Sequence, residues 1–160
     1  MTEKVELTWY EAKLATEVGV NRCLSSWAKG LKHAHGYKPD DLFDTNIISA
    51  AAEMAVAKYC GLYWDGSVDT FKSKADVGND IEVRLSMMKE PRLIIRPGDT
   101  QGSRYVLVKN LWQQSSVPTF QILGYYRYGK QIMHDKWWTN FGKKDRPHCW
   151  AIPVQDLLDL

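Results

Sequence analysis

The sequence predicts an α+β or α/β domain with a central mixed β-sheet flanked by helices. Two stretches with helical spacing of apolar residues come first, and several short stretches with strand-like alternation follow. The 160 residues fit a single domain, 1–160, and a hydrophobic fraction of 44% is enough to form a real core. Strands that follow one another closely favour a mainly meandering sheet.

The first predicted helix begins near Thr8 and ends near Gly30. Thr8 is followed three residues later by Glu11, which is the pattern of a capping box. Apolar residues then recur at close to helical spacing, at Leu14, Val18, Cys23, Leu24 and Trp27. The polar segment from Lys32 to Asp44 is predicted to be a loop, with His33 and His35 at its surface.

The second predicted helix runs from about Thr45 to Cys60, with Asp44 or Thr45 as its cap and Gly61 as its stop. Glu53 is the only charged residue between Asp44 and Lys58, and alanines and other apolar residues surround it. A carboxylate in such a buried helix must be paired, hydrogen-bonded or bound to a metal. Glu53 is therefore the first candidate functional residue.

The remainder of the chain is predicted to be mostly strand. Asp80 to Leu85 alternates well, with acidic and basic side chains on one face and apolar ones on the other. A late strand leading into a short helix is predicted after Ala151. Further strands are predicted at 92–96, 105–110 and 120–126.

A possible metal site lies around the first of these strands. Glu82 and Arg84 are two residues apart and share a face. Asp76 shares that face if the strand is continuous, or if Gly78-Asn79-Asp80 forms a three-residue hairpin loop; a two-residue turn would place it opposite Ile81. Two strand carboxylates suit Mg²⁺ or Mn²⁺, which bind hard oxygen ligands and activate water for phosphodiester cleavage.

These residues resemble the PD-(D/E)XK nuclease superfamily. Its pattern is a helix Glu, then an Asp, then Glu-x-Lys on the next strand, and here it is matched by Glu53, Asp76 and Glu82-Val83-Arg84. The resemblance covers roughly residues 45–126 and is strongest to small phage or mobile-element members. It implies a restriction-endonuclease-like core with the helix of Glu53 packed against the sheet and the first helix outside.

The resemblance also implies an activity, that of a Mg²⁺- or Mn²⁺-dependent deoxyribonuclease. Asp76 and Glu82 would be metal ligands, Glu53 would assist the metal or the water, and Arg84 would stabilise charge in the lysine position. Asp69 is a second-ranked alternative to Asp76. For a phage-encoded chain, the implied location is the cytoplasm of the host.

Three further residues are predicted to contact DNA, although the net charge of only +2 requires any basic surface to be local. Lys143, Lys144 and Arg146 lie in a stretch that interleaves basic and aromatic residues. The rival interpretation is a catalytically inactive module that binds DNA or a protein partner, with Glu53 and Arg84 as a structural ion pair. A homo-oligomer is a further alternative.

Three cysteines at wide spacing, Cys23, Cys60 and Cys149, predict reduced thiols in a cytosolic protein rather than a disulfide framework. The N-terminus lacks the pattern of a signal peptide, and no apolar run reaches the length of a membrane span. A membrane partner is therefore not expected.

Overall fold

The computed structural model describes residues 2–30, 42–70, 73–132 and 135–160 of the chain. Most of the predicted loop from Lys32 to Asp44 lies outside these residues, and so do His33 and His35. Neither of the two long helices, nor any other helix in the described ranges, combines the length and the apolar composition that a bilayer span requires.

Within the described residues, two helices and seven strands form a mixed α+β fold, and the predicted fold class is confirmed. The elements are β1 (Glu3–Glu6), α1 (Trp9–Ala28), α2 (Leu42–Cys60), β2 (Ile81–Ser86), β3 (Arg92–Ile95), β4 (Arg104–Asn110), β5 (Thr119–Arg127), β6 (Trp138–Thr139) and β7 (Cys149–Pro153). The late strand is followed by a 3₁₀ turn, as predicted. β1 and β6 were not predicted, because Val5 is the single apolar residue of β1 and β6 has only two residues.

The strands form two sheets rather than one meander. The larger sheet has the order β1-β5-β4-β2, and β2 and β4 run parallel while the other neighbours are antiparallel. A parallel pair needs a crossover connection, and here β3 lies within that connection. β3 instead joins a second, antiparallel sheet of order β3-β7-β6. The prediction of a central mixed sheet is confirmed, and the prediction of a meander is wrong.

The helix that carries Glu53 is buried on nearly all sides, as its apolar composition predicts. It packs between the larger sheet and α1, which is the predicted arrangement. Its predicted stop is confirmed, because Gly61 has a φ of +65° and its N–H donates to the Lys58 carbonyl. The predicted cap at Asp44 or Thr45 is wrong: α2 begins at Leu42, so both residues lie inside the helix.

The start of α1 is confirmed, since Thr8 and Glu11 form both hydrogen bonds of a capping box. Its buried face differs from the predicted apolar stripe, and Leu14, Leu24 and Trp27 are largely exposed. A Cβ at Gly19 would lie 2.5 Å from Ile47 Cα, so the two helices cross too closely for large side chains. The residues of α1 that face α2 are therefore small: Ala12, Ala15, Gly19 and Cys23.

Candidate functional site

A cavity of about 640 Å³ lies where α1, the larger sheet and the loop after β3 meet. Asp76, Glu82 and Arg84 line it together, so the structure brings three of the four predicted site residues into one place. Four acidic and four basic side chains line the cavity among the described residues. The site therefore has the charge content for a polar, ionic ligand.

The two predicted metal ligands face each other across a tight hairpin. Val77 pairs with Ile81 through two backbone hydrogen bonds of 3.1 and 3.2 Å, and Gly78 turns the chain with a φ of +58°. Of the three local geometries weighed for this segment, the three-residue loop is the one that forms. Asp76 therefore lies opposite Glu82, and their carboxyl groups hydrogen-bond to each other.

Burial and mutual repulsion disfavour two negative charges on this carboxyl pair. Burial, followed by the neighbouring charge of Asp76, raises the pKa of Glu82 to about 7. Burial also raises the pKa of Asp76, although the Val83 N–H donates to its Oδ2 at 2.8 Å and favours the charged form. The pair therefore retains a proton up to about pH 7.

The pair predicts a falling stability as pH rises in the metal-free protein. In the folded state Glu82 keeps its proton up to about pH 7, whereas its ordinary pKa is 4.5. The folded protein thus binds more protons between these values, and its stability decreases as pH rises through them. We expect Glu82→Gln to remove about 1 kcal/mol of this decrease, because solvent screens a half-buried group.

Urea unfolding at pH 5 and pH 8, in the presence of EDTA, measures this difference. Glu17→Gln is the matched control, since Glu17 is an exposed glutamate on α1. Its ion pair with Lys13, one helical turn away, is weak, with an N–O distance of 3.9 Å. Equal pH dependence in wild type and Glu82→Gln would contradict a shared proton.

Arg84 pairs with Asp99 rather than with Glu53. Its Nη2 lies 2.9 Å from Asp99 Oδ1, and its guanidinium carbon lies 5.1 Å from the centroid of the Tyr105 ring. The structural Glu53–Arg84 pair of the rival interpretation is therefore wrong. Glu53 is instead paired with an arginine of α1, Arg22.

Glu53 is held by Arg22 in a two-pronged ion pair, with Nη–Oε distances of 2.7 and 2.9 Å. The indole of Trp64 donates to the same carboxylate at 3.2 Å, and Arg22 Nε donates to the Ser67 carbonyl at 2.9 Å. Arg22 lines the cavity, and Glu53 lies behind it with 7% of its surface exposed. The predicted contact of Glu53 with a metal or water thus stays a prediction, with both of its oxygens already hydrogen-bonded.

The pKa values of both partners of this ion pair are raised, which favours the neutral form of Glu53 and the charged form of Arg22. Burial raises the pKa of Glu53 to about 7, against the opposing effect of Arg22. For Arg22, burial is outweighed by the hydrogen bonds and charge of Glu53, so its pKa rises. We take the ionised pair as the ground state at neutral pH, because arginine keeps its charge and the bidentate geometry favours a carboxylate.

Sequence reasoning missed Arg22. The sequence does contain one indication of where Arg22 lies. It is three residues after Gly19 and seven after Ala15, so it lies on the small-residue face of α1. An arginine on that face must find a buried partner on α2. The predicted apolar stripe did not indicate this face, because Leu14, Leu24 and Trp27 lie on the exposed side of α1.

Asp69, the alternative to Asp76, lines the cavity but does not form the carboxyl pair. It accepts hydrogen bonds from Ser25 at 2.6 and 2.7 Å and lies 3.0 Å from Lys29 Nζ. These contacts lower its pKa, with Ser25 as the largest cause. Asp76 is therefore the residue whose environment resembles that of a metal ligand.

The predicted DNA-contacting residues lie in the turn between β6 and β7. Lys143 and Lys144 are exposed, and the Arg146 guanidinium lies 4.5 Å from the centroid of the Phe141 ring. The charge of Arg146 also contributes to lowering the pKa of Arg96, after burial and Arg84, and Arg96 lines the cavity. The charge of the basic turn therefore acts on at least one residue of the cavity, Arg96.

The residues present fit a divalent metal that keeps most of its water. Asp76 and Glu82 offer two adjacent carboxyls, and a cation would relieve the repulsion that now retains a proton between them. No group of three or more His, Cys, Asp or Glu side chains in the described parts of the chain is arranged to hold a metal ion. Water or phosphate oxygens would therefore complete the coordination, as Mg²⁺ commonly requires.

Comparisons of the chain with protein-family models, with curated proteins and with solved structures found no match. The resemblance to the PD-(D/E)XK superfamily therefore stays a prediction. It depends on the sequence pattern of Glu53, Asp76, Glu82 and Arg84, of which the last three line the cavity.

Proposed function

We propose that this chain is a divalent-metal-dependent deoxyribonuclease that hydrolyses phosphodiester bonds by metal-activated water. The observation that carries the proposal is the pair formed by Asp76 and Glu82, opposed across a hairpin in a cavity that arginines also line. Paired carboxyls with a retained proton are typical of functional sites rather than of solvated strand faces.

In this proposal, Asp76 and Glu82 would hold Mg²⁺ or Mn²⁺ once the proton between them is lost. When bound, the metal would supply a Lewis acid for the phosphate and a lower pKa for the attacking water. The Val83 N–H fixes the orientation of Asp76 from the strand backbone. An arginine side chain suits charge stabilisation rather than proton abstraction, so Arg84 would stabilise negative charge on the phosphate.

DNA is the proposed partner, and the turn with Lys143, Lys144 and Arg146 is its proposed approach to the cavity. The free cysteines Cys23 and Cys149 are buried and support a location in the cytoplasm, the host cytoplasm if the chain is phage-encoded. Because ligand carboxyls must lose their proton, the affinity for Mg²⁺ should increase with pH up to about pH 7.

A second candidate function is a module that binds DNA without cutting it. Two observations favour it: Glu53 is fully engaged by Arg22 and Trp64, and Arg84 is engaged by Asp99. A binding module would retain DNA in EDTA and lose it steeply with salt. A homo-oligomer is compatible with both candidates.

Calorimetric titration of Mg²⁺ and Mn²⁺ into the wild-type protein, alone and with DNA, tests the proposal. The same samples are incubated with plasmid and with single-stranded DNA. Metal binding together with EDTA-sensitive cleavage supports the nuclease. Absence of metal binding even with DNA present would reject the nuclease and leave the binding module.

A further inference from the structure

We propose that Arg84, Arg96 and Asp99 form a preorganised subsite that binds one backbone phosphodiester of a nucleic acid, next to the Asp76–Glu82 pair. The choice of nucleic acid rests on the proposed function, whereas the anion site rests on the contacts of the three residues themselves. The subsite would hold a phosphate other than the one that is cut.

The first contact is one that Arg84 lacks. Its Nε is buried and has no hydrogen-bond partner in the part of the chain that the structure describes. An unpaired buried donor costs free energy, and this cost is larger for a charged group. Arg84 lines the cavity, and a small shift of its guanidinium toward an anion bound there would give this N–H an acceptor.

The second feature is another guanidinium group close to that of Arg84. Arg96 also lines the cavity, and burial, followed by the charge of Arg84, lowers its pKa. Asp99 offsets only part of this effect. Two like charges in a half-buried position favour binding of an anion between them.

Asp99 sets the amount of charge that remains. Its Oδ1 lies 2.9 Å from Arg84 Nη2 in an ion pair, and its Oδ2 accepts from the backbone N–H of Arg96 at 2.8 Å. Within these three residues, one carboxylate against two guanidinium groups leaves a single positive charge. The neighbouring Asp76–Glu82 pair, which also interacts with Arg84, disfavours a dianion further. A phosphodiester carries one negative charge, whereas a terminal phosphate carries nearly two at neutral pH, so the diester is the better match.

Tyr105 supports one side of the subsite and is fixed in place. The Tyr105 ring lies beneath the Arg84 guanidinium, and its hydroxyl bonds both the N–H and the carbonyl of Thr100, at 2.9 and 3.2 Å. Tyr105 is 1% exposed, so the ring cannot move away. Donors that are already oriented lose little entropy when an anion binds.

The register of the second sheet connects the subsite to the basic turn. Ile95, the last residue of β3, pairs with Trp150. Arg96 comes directly after β3 and therefore lies at the level of Cys149 on the neighbouring strand. Arg146 lies three residues before Cys149 and is close enough to affect the pKa of Arg96. A nucleic-acid backbone that contacts Arg146 in the turn can therefore also reach Arg96 in the subsite.

Arg96→Gln tests the subsite, and Arg92→Gln is the matched control because Arg92 is exposed at the start of the same strand. The readout is the fluorescence anisotropy of a labelled single-stranded oligonucleotide in EDTA at several salt concentrations. We expect Arg96→Gln to weaken binding about tenfold and to reduce the slope of log affinity against log salt by roughly 0.7. Arg92→Gln should change neither.

Arg96→Lys guards against a folding defect, since it should keep the salt slope while losing part of the affinity. Equal behaviour of Arg96→Gln and Arg92→Gln would overturn the subsite. A wild-type preference for a 5′-phosphorylated over a 5′-hydroxyl oligonucleotide, lost in Arg96→Gln, would overturn its assignment to a diester.

The metal-free conditions separate this inference from the proposed function. The same measurements in a Glu82→Gln background should give the same difference between Arg96→Gln and Arg92→Gln. If the wild type cuts no DNA but this difference persists, the subsite stands and the nuclease is rejected. If the wild type cuts DNA and the difference is absent, the subsite is rejected and the nuclease stands.

Discussion

Glu82→Gln is expected to reduce metal-dependent DNA cleavage on the order of a thousandfold, because it removes one of two protein ligands from the proposed metal. The amide has nearly the same shape as the carboxyl group but carries no charge to neutralise Mg²⁺. Cleavage rates on plasmid DNA in saturating Mg²⁺ measure the effect, and calorimetry measures the loss of metal binding.

The stability of the same variant separates catalysis from folding. Glu82 and Asp76 repel each other in the metal-free protein, so Glu82→Gln should be at least as stable as the wild type at pH 8. Glu90→Gln is the control, because Glu90 is exposed shortly after the same strand. Cleavage at the wild-type rate by Glu82→Gln would contradict the proposed ligand role.

Arg22→Met is expected to destabilise the protein by about 3–5 kcal/mol at pH 8, which is the usual cost of removing one partner from a buried ion pair. Glu53 would then be left 7% exposed with Trp64 as its remaining described hydrogen-bond donor. The cost should be smaller at pH 5, because Glu53 can take up a proton there and bury no charge. Urea unfolding at both pH values measures the difference.

Two further variants make this prediction specific. Lys13→Met removes an exposed cation from the same helix and should change stability by less than about 0.5 kcal/mol. Arg22→Met combined with Glu53→Met should recover most of the loss, since no unpaired charge remains. A loss below about 1 kcal/mol in Arg22→Met would show that the pair contributes little.

Features that depend on neighbouring residues could be predicted from the sequence. The capping box at Thr8, the stop at Gly61 and the opposition of Asp76 to Glu82 each depend on a few consecutive positions. The hairpin was one of three alternatives, and the pairing of Val77 with Ile81 selects it. Local sequence determines such features because their hydrogen bonds close within one turn.

Features that depend on distant pairing could not be predicted. Arg22 meets Glu53 across 31 positions, and an arginine on a helix surface gives no local sign of such a partner. The choice of β3 for a second sheet depends on its pairing with β7, more than fifty residues later. Asp99 and Arg96 join the site through the same distant arrangement.

The close crossing of α1 and α2 at Gly19 has a consequence for motion. A Cβ there would meet the Ile47 backbone, so the helices are in contact over their main chains, and Arg22 is less than one turn away. The side of the cavity that Arg22 lines can therefore open only if the two helices separate as whole elements. Amide hydrogens around Gly19 and Glu53 should then exchange with solvent together, at a rate close to that of global unfolding, rather than through local fraying.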